Sequence, residues 1–421
     1  MSEYIPLEIQ AEILKRLSLK PLLQFRTVSK SFKGLIDNPD FINSHVVHHH
    51  PQQPHDRFIL RYVLNWSTGY CDQERYITFV DDDDRFVLQG FISPVPDLIK
   101  TLKFSNVVGS SHGLLCFSGY YYEHSDDHSS RTEMVVLWNV SIRKSVGIRV
   151  PDICDKPNGK FYDHNVHSVF GFGVCPVTFD PTVIKITSVH YRRNRNDIRR
   201  ISLPWIVGVF TWSSGTWSIL STNIPRGSIR LRRSQVIIDR FIYWVAYDMF
   251  DPEDGIDAQE ALPQSRFLIV SFDLTAKEFK EIRLTGSLTN FRCKIPSISK
   301  LRESLVLLAY HFEEQVSACH CLWMMNEEGV SRSFTKLYTI KVEDASIRQI
   351  LGFKKTGELI METSYKSEKT TNVQIYEPNN EYVENLEIDG KDFASFMCFY
   401  TETLYLLDKP DGYIYLPRVA V

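Results

Sequence analysis

From Arg57 to the C-terminus, short runs rich in Val, Ile, Tyr, Phe and Trp alternate with turn residues every 8 to 12 positions or so. That rhythm belongs to an all-β domain, and the same stretch holds no long amphipathic helix pattern, which argues against a doubly wound α/β fold. The runs form a loose internal repeat. Each copy ends in a hairpin: Val135–Asn139 returning through Arg143-Lys144, Val209–Trp212 returning through Gly215 to Trp217-Ser218-Ile219, Ile269–Asp273 returning to Phe279, Leu322-Trp323-Met324 returning past Gly329, and Val373–Tyr376 returning to Tyr382. Further strands precede these hairpins, such as Gly113–Phe117, Arg240–Trp244, Ser304–Leu308 and Gly357–Met361. Two hairpins per unit, recurring at roughly 50 to 70 residues, is the pattern of β-propeller blades. Five blades come from this count. The leftover strands, Arg57 to Ile92 and Phe393 to Leu407, would pair into a sixth blade built from both chain ends, which removes an open sheet edge. Six blades is the expectation and seven the alternative; an irregular pair of β-sandwiches is the competing architecture.

The first 46 residues have a different texture. Pro6 sits where a helix should open, since proline at the first helical position lacks only an N–H that would be unpaired anyway. Ile9, Ile13, Leu14 and Leu17 then recur at helical spacing, with Glu8 and Glu12 early and Lys15 and Arg16 late, as the helix dipole prefers. A second helix is expected near Pro21, carrying Leu22, Phe25 and Val28, with Ser18 able to cap it. Ser29 or Ser31 can cap a third, which bears Phe32, Leu35 and Ile36 and ends before Pro39. Three short helices bury little by themselves, so an apolar face left over for a partner is expected. A polar stretch, His45 to Asp56, follows and includes His45, His48, His49, His50 and His55; it is read as solvated rather than metal-binding. The chain thus divides into a small all-α three-helix module at 1–46, a linker at 47–56 and an all-β domain at 57–421.

Composition narrows the functional classes. The chain has 421 residues, and 48 Lys and Arg against 51 Asp and Glu leave a net charge of −3, which argues against a dominant nucleic-acid or anionic-membrane role. No apolar run approaches the roughly 18 to 20 residues of a membrane span, and no secretory signal pattern opens the sequence. Eight scattered cysteines, several inside strand-like runs, read as buried thiols of a reducing compartment: cytoplasm, nucleus or both.

Residues 4 to 46 resemble, without a gap, the F-box, the helical module that docks a protein onto the Skp-type adaptor of a cullin–RING ubiquitin ligase. The residues that carry the likeness are Ile5, Pro6, Leu7, Ile9, Ile13, Leu14, Leu17, Leu22, Leu23, Val28, Ser29, Phe32 and Leu35. These are the adaptor-binding residues that the resemblance implies. Ser18 stands where the family usually has proline and Phe32 where it usually has tryptophan. The region after the linker resembles the F-box-associated interaction domain of many plant proteins, a kelch-like, propeller-type platform. The matching stretches are Val108–Cys116, Leu137–Ser141, Phe170–Val174, Ser271–Leu274 with Phe279, Leu322–Met324 and Ile350–Phe353, with Val140 in place of the usual proline. Together these resemblances imply a non-catalytic substrate receptor of a Skp–cullin–F-box ligase, directing a target protein to ubiquitination and proteasomal degradation. Partners would be the adaptor, through it the cullin and RING subunits, and a protein substrate. A propeller interaction protein outside a ligase, or a propeller hydrolase, are the alternatives.

Only fragments of chemistry appear elsewhere, and no cofactor or metal is expected. Cys319-His320-Cys321 lacks the usual gap between zinc-binding cysteines and reads as alternating strand residues. Asp81–Asp84 and Asp251–Glu260 lack calcium-loop spacing, and no Gly-x-Ser-x-Gly elbow occurs. The candidate substrate-binding residues are Arg192, Arg193, Arg195, Arg199 and Arg200. With Arg226, Arg230, Arg232 and Arg233, they would make one positive patch if those segments are neighbours. Such a patch suits an acidic or phosphorylated protein, or is simply a solvated face; nucleic acid fits poorly, because aromatic residues are sparse there. Tyr120, Tyr121 and Tyr122 are the alternative rim.

Overall fold

The computed structural model describes residues 5–49, 57–64, 66–67, 70–71, 74–82, 85–122, 131–152, 163–192, 201–248, 267–284, 288, 296–311, 319–326, 333–340, 342, 345–365, 370–391 and 395–418. Four N-terminal helices precede a β-domain whose described strands form six blades in a β-propeller arrangement, with a small two-stranded ribbon, 66–67 against 70–71, inserted in the first. Two compact units divide the chain: residues 1–60, 75–150 and 398–417 in the first, and 61–74, 151–397 and 418–421 in the second.

The helices α1 (Leu7–Lys15), α2 (Leu19–Val28) and α3 (Lys30–Ile36) follow the expected order. Ser29 caps α3, its hydroxyl accepting the Phe32 N–H at 3.1 Å. Ser18 takes the N-cap position of α2 without a side-chain bond. Arg26 of α2 donates twice to Asp37 just after α3, at 2.5 and 2.8 Å, a bidentate pair that ties the two helices together.

A fourth helix, α4 (Pro39–His49), corrects the three-helix expectation and moves residues 47–49 out of the linker. Proline suits the first helical position, and the Asn38 side chain accepts the Asp40 N–H at 2.8 Å. Phe41, Ile42, His45 and Val46 are buried along one face. His50 and His55 lie outside the described residues.

The sheets hold the expected hairpins. Blade one orders its strands 396–399, 57–63, 74–82 and 85–91, so strands from the two ends of the domain lie side by side, as the leftover segments required. Tyr400 N–H donates to Arg57 O at 2.8 Å beside that join. Blade two runs through 103–111, 114–122, 131–139 and 144–149, blade three through 163–174, 181–192, 206–211 and 216–220, and blade four through 229–238, 241–248, 267–273 and 278–283. Blade five comprises 297–301, 304–311, 319–326 and 333–340, and blade six 345–353, 359–365, 370–377 and 382–391. A strand beyond the four of its blade, Tyr413–Tyr415, adds in parallel to the outside of blade two, pairing with Val146–Ile148.

Burial on both sheet faces explains the near-continuous apolar runs. In blade four, Leu268, Val270 and Phe272 enter a core shared with blade three, while Ile269 enters one shared with blade five. Ile242, Trp244 and Ala246 alternate in the same way with Tyr243 and Val245. Successive blades approach closely: a Cβ on Gly171 would lie 2.5 Å from the Trp244 ring. The turn His112-Gly113 has positive φ at both residues, as a two-residue hairpin between Ser111 and Leu114 demands. Asn139, from the Leu137–Ser141 motif, is fully buried and donates to Thr403 O at 2.9 Å and Tyr405 O at 2.8 Å, fastening the C-terminal segment to blade two.

Candidate functional site

The helical candidates separate into three sets that periodicity alone had merged. Ile5, Pro6, Leu7, Ile9, Ile13, Val28 and Ser29 are exposed, Val28 by 70%. Leu14 and Leu22 are buried and hold the helices together, so neither offers a surface to a partner. Leu17, Leu23, Phe32 and Leu35 lie half-buried between these extremes. Ile9 and Ile13 fall one turn apart on α1, and Phe25 and Val28 one turn apart on α2. Phe25, absent from the sequence candidates, is exposed and packs edge-on against Phe32 with ring centroids 5.8 Å apart. Its spacing from Val28 was the available signal. Chemically, these rows are suited to burying apolar surface against another protein.

Histidines brace the other side of this unit. His45 Nε2 lies 3.0 Å from Leu17 O and His49 Nε2 lies 2.9 Å from Lys15 O, satisfying carbonyls at the end of α1 and in the turn beyond it. A carbonyl can only accept, so both Nε2 atoms carry the proton. Burial pushes the His45 imidazole down to about 4, only partly opposed by its bond to Leu17, so it is neutral at pH 7. A shallow pocket beside it is lined by Ser18, Leu19, His45, His49, Arg57, Tyr400 and Glu402, with Arg57 and Glu402 paired at 3.4 Å.

In the β-domain, Arg193, Arg195, Arg199 and Arg200 lie outside the described residues. Arg192 ends the strand Pro181–Arg192, opposite Asp163. The later arginines are not in a loop. Arg230, Arg232 and Arg233 lie in the first strand of blade four, Ile229–Ile238, which is bulged between Leu231 and Gln235. Arg226, just before it, pairs with Asp248 at 3.0 Å and Glu281 at 3.2 Å and is structural. Tyr120 and Tyr122 already carry cations from their own blade: Arg131 lies 5.0 Å from the first ring and Lys103 5.9 Å from the second. Cys319, His320 and Cys321 are consecutive residues of one strand, Cys319–Asn326, with the His320 ring 5.0 Å from that of Tyr310. Among the described residues, no three His, Cys, Asp or Glu side chains gather as a metal site.

These helices have a known counterpart: residues 3–44 match the F-box domain. The chain carries an F-box at its N-terminus, and the relatives it matches include F-box proteins of Arabidopsis thaliana. It is 27% identical to the F-box protein CPR1 of Arabidopsis thaliana, over 80% of this chain and 73% of that one. Identity is 23% with the F-box/kelch-repeat protein At3g23880 of the same plant, over 80% of this chain and 79% of that one. Among solved structures, the dipeptidyl peptidase 4 of Porphyromonas gingivalis is 7% identical and aligns with a TM-score of 0.35, over 75% of this chain and 50% of that one. A likeness that remote carries neither fold nor activity across.

Proposed function

We propose that this chain is the substrate receptor of a Skp–cullin–F-box ubiquitin ligase. The apolar rows of α1 and α2 would dock on the Skp-type adaptor, which links the chain to cullin and RING subunits. The β-domain would hold a target protein for ubiquitination and proteasomal degradation, in the cytoplasm, the nucleus or both. In this reading the chain breaks and forms no bonds itself; it brings a substrate near ubiquitin carried by another subunit. The observation that carries the proposal is the F-box match at residues 3–44 on helices whose Ile9, Ile13, Phe25 and Val28 stand exposed. An exposed apolar row on so small a unit is stabilised by a partner surface, not by its own core.

Affinity purification of the full chain from plant tissue, with the proteasome inhibited, tests this. Adaptor and cullin should both co-purify, and both should be lost from a variant with Ile13→Glu and Val28→Asp. Recovery of the adaptor without cullin would place the chain outside a ligase.

A further inference from the structure

We propose that Arg230 and the bulge beside it, Arg232–Ser234 of blade four, form an oxyanion site, and that it takes a phosphorylated side chain or a run of carboxylates on the protein the β-domain captures. The proposal rests on the receptor reading above and adds the chemistry of the captured partner.

The bulge is built rather than incidental. Strand Ile229–Ile238 pairs with Phe241–Asp248 in register from Ile238↔Phe241 to Gln235↔Trp244, then resumes at Leu231↔Ala246. Only Val245 separates Trp244 from Ala246, whereas Arg232, Arg233 and Ser234 separate Leu231 from Gln235. The surplus projects all three residues into solvent. Gln235 anchors the segment to blade three: its Oε1 accepts the Phe172 N–H at 2.8 Å and its Nε2 donates to Phe172 O at 2.7 Å. The flanking Leu231 and Ile229 are buried in the core between the blades.

Arg230 supplies the telling detail. Its Nε and Nη2 are buried and have no hydrogen-bond partner among the described residues. These two nitrogens form one edge of the guanidinium, the edge that matches two oxygens of a phosphate or carboxylate. Charged donors withdrawn from water and left empty are costly, and a ligand oxyanion would satisfy both at once.

Electrostatics point the same way. His167, on the neighbouring strand 163–174, is held below the usual imidazole range, first by burial and then by Arg233, Arg230 and Arg232. The fields of three arginines therefore converge on one place. None of the three makes an ion pair among the described residues, in contrast to Arg226 with its two carboxylates. Phosphate, as a dianion, offsets this concentration of charge better than a single carboxylate.

The test uses the full chain. Isothermal titration with inorganic phosphate at fixed ionic strength should give saturable binding. Affinity should fall at least tenfold in Arg230→Gln and in the double variant Arg232→Gln/Arg233→Gln. The second variant changes only exposed side chains, so it decides the matter even if Arg230→Gln disturbs folding. A short Gly-Ser peptide bearing one phosphoserine, set against the same peptide with two glutamates, separates the sources: whichever binds more tightly identifies the oxyanion. Equal phosphate affinity in wild type and variants would overturn the site. So would binding that emerges only after Asp251, Glu253, Asp254, Asp257 and Glu260 are neutralised to Asn and Gln, because the arginines would then serve the chain's own acidic stretch. Failure here with cullin co-purification intact removes the site and leaves the receptor reading standing. Loss of cullin with phosphate binding intact does the reverse.

Discussion

Helix α1 and the third strand of blade four handle similar residues in opposite ways. Ile269 is fully buried between two blades, while Ile13, on a helix of nine residues, remains 50% exposed. The strand has a covered face on each side, so every apolar side chain finds a home within the chain. The helix has one inward direction, occupied by Leu14, while Leu7, Ile9 and Ile13 face outward. Self-sufficiency in the first case and a deficit in the second explain why one region reads as scaffold and the other as a docking element.

That comparison can be broken most severely in the core. Phe272→Ala empties a site between blades three and four and should cost about 3–5 kcal/mol, read from urea unfolding. Ile9→Ala on the exposed helical row should shift stability by no more than about 0.5 kcal/mol. Comparable losses for both would erase the distinction.

Acid should strike the helices before the blades. The imidazole of His45 titrates near 4 in the fold against an ordinary 6.5, so between those values the unfolded chain binds the extra proton. Its contribution is full above pH 6.5 and is lost as pH falls towards 4, about 3 kcal/mol in all. Protection factors in α1 and α4, with the intrinsic pH dependence of amide exchange divided out, should therefore fall across that range, and a His45→Gln variant should flatten the dependence. Unchanged protection factors between pH 7 and 4 would contradict the buried neutral imidazole.

The smallest effect is expected in blade six. Glu362 is fully buried and accepts from Ser395 at 2.9 Å, Gln349 at 2.8 Å and Thr371 at 3.2 Å, with no cation among these partners. Burial raises its carboxyl above the ordinary 4.5 despite those bonds. The folded form thus holds its proton longer than the unfolded chain, and stability declines as pH rises from 4.5 through the raised value. Glu362→Gln should match or exceed the wild type at pH 7, by no more than about 1 kcal/mol in thermal unfolding. A clear loss would mean that the ionised carboxylate is the favoured form.

Much of the β-domain was legible because apolar runs such as Val135–Asn139 and Ile269–Asp273 are buried on both faces, which leaves a strong local signal. Helix α4 was not. Its buried face places His45 beside Phe41, Ile42 and Val46, so a core position looks polar in the sequence. Among the adaptor candidates, spacing shows which residues share a face of α1 but not how far that face turns inward; only packing separates Leu14 from Ile13. Nor could the arginine bulge be read from one strand, because a bulge is a mismatch with the partner strand.

The account depends most directly on the helical rows meeting the adaptor. Calorimetric titration of the full chain with a purified Skp-type adaptor, beside the Ile13→Glu and Val28→Asp variants, measures that contact. The account predicts tight binding by the wild type, at least a hundredfold loss in each variant, and unfolding midpoints within a degree or so of the wild type, since both side chains are exposed. Undiminished binding by variants that carry a charge in each row would contradict it.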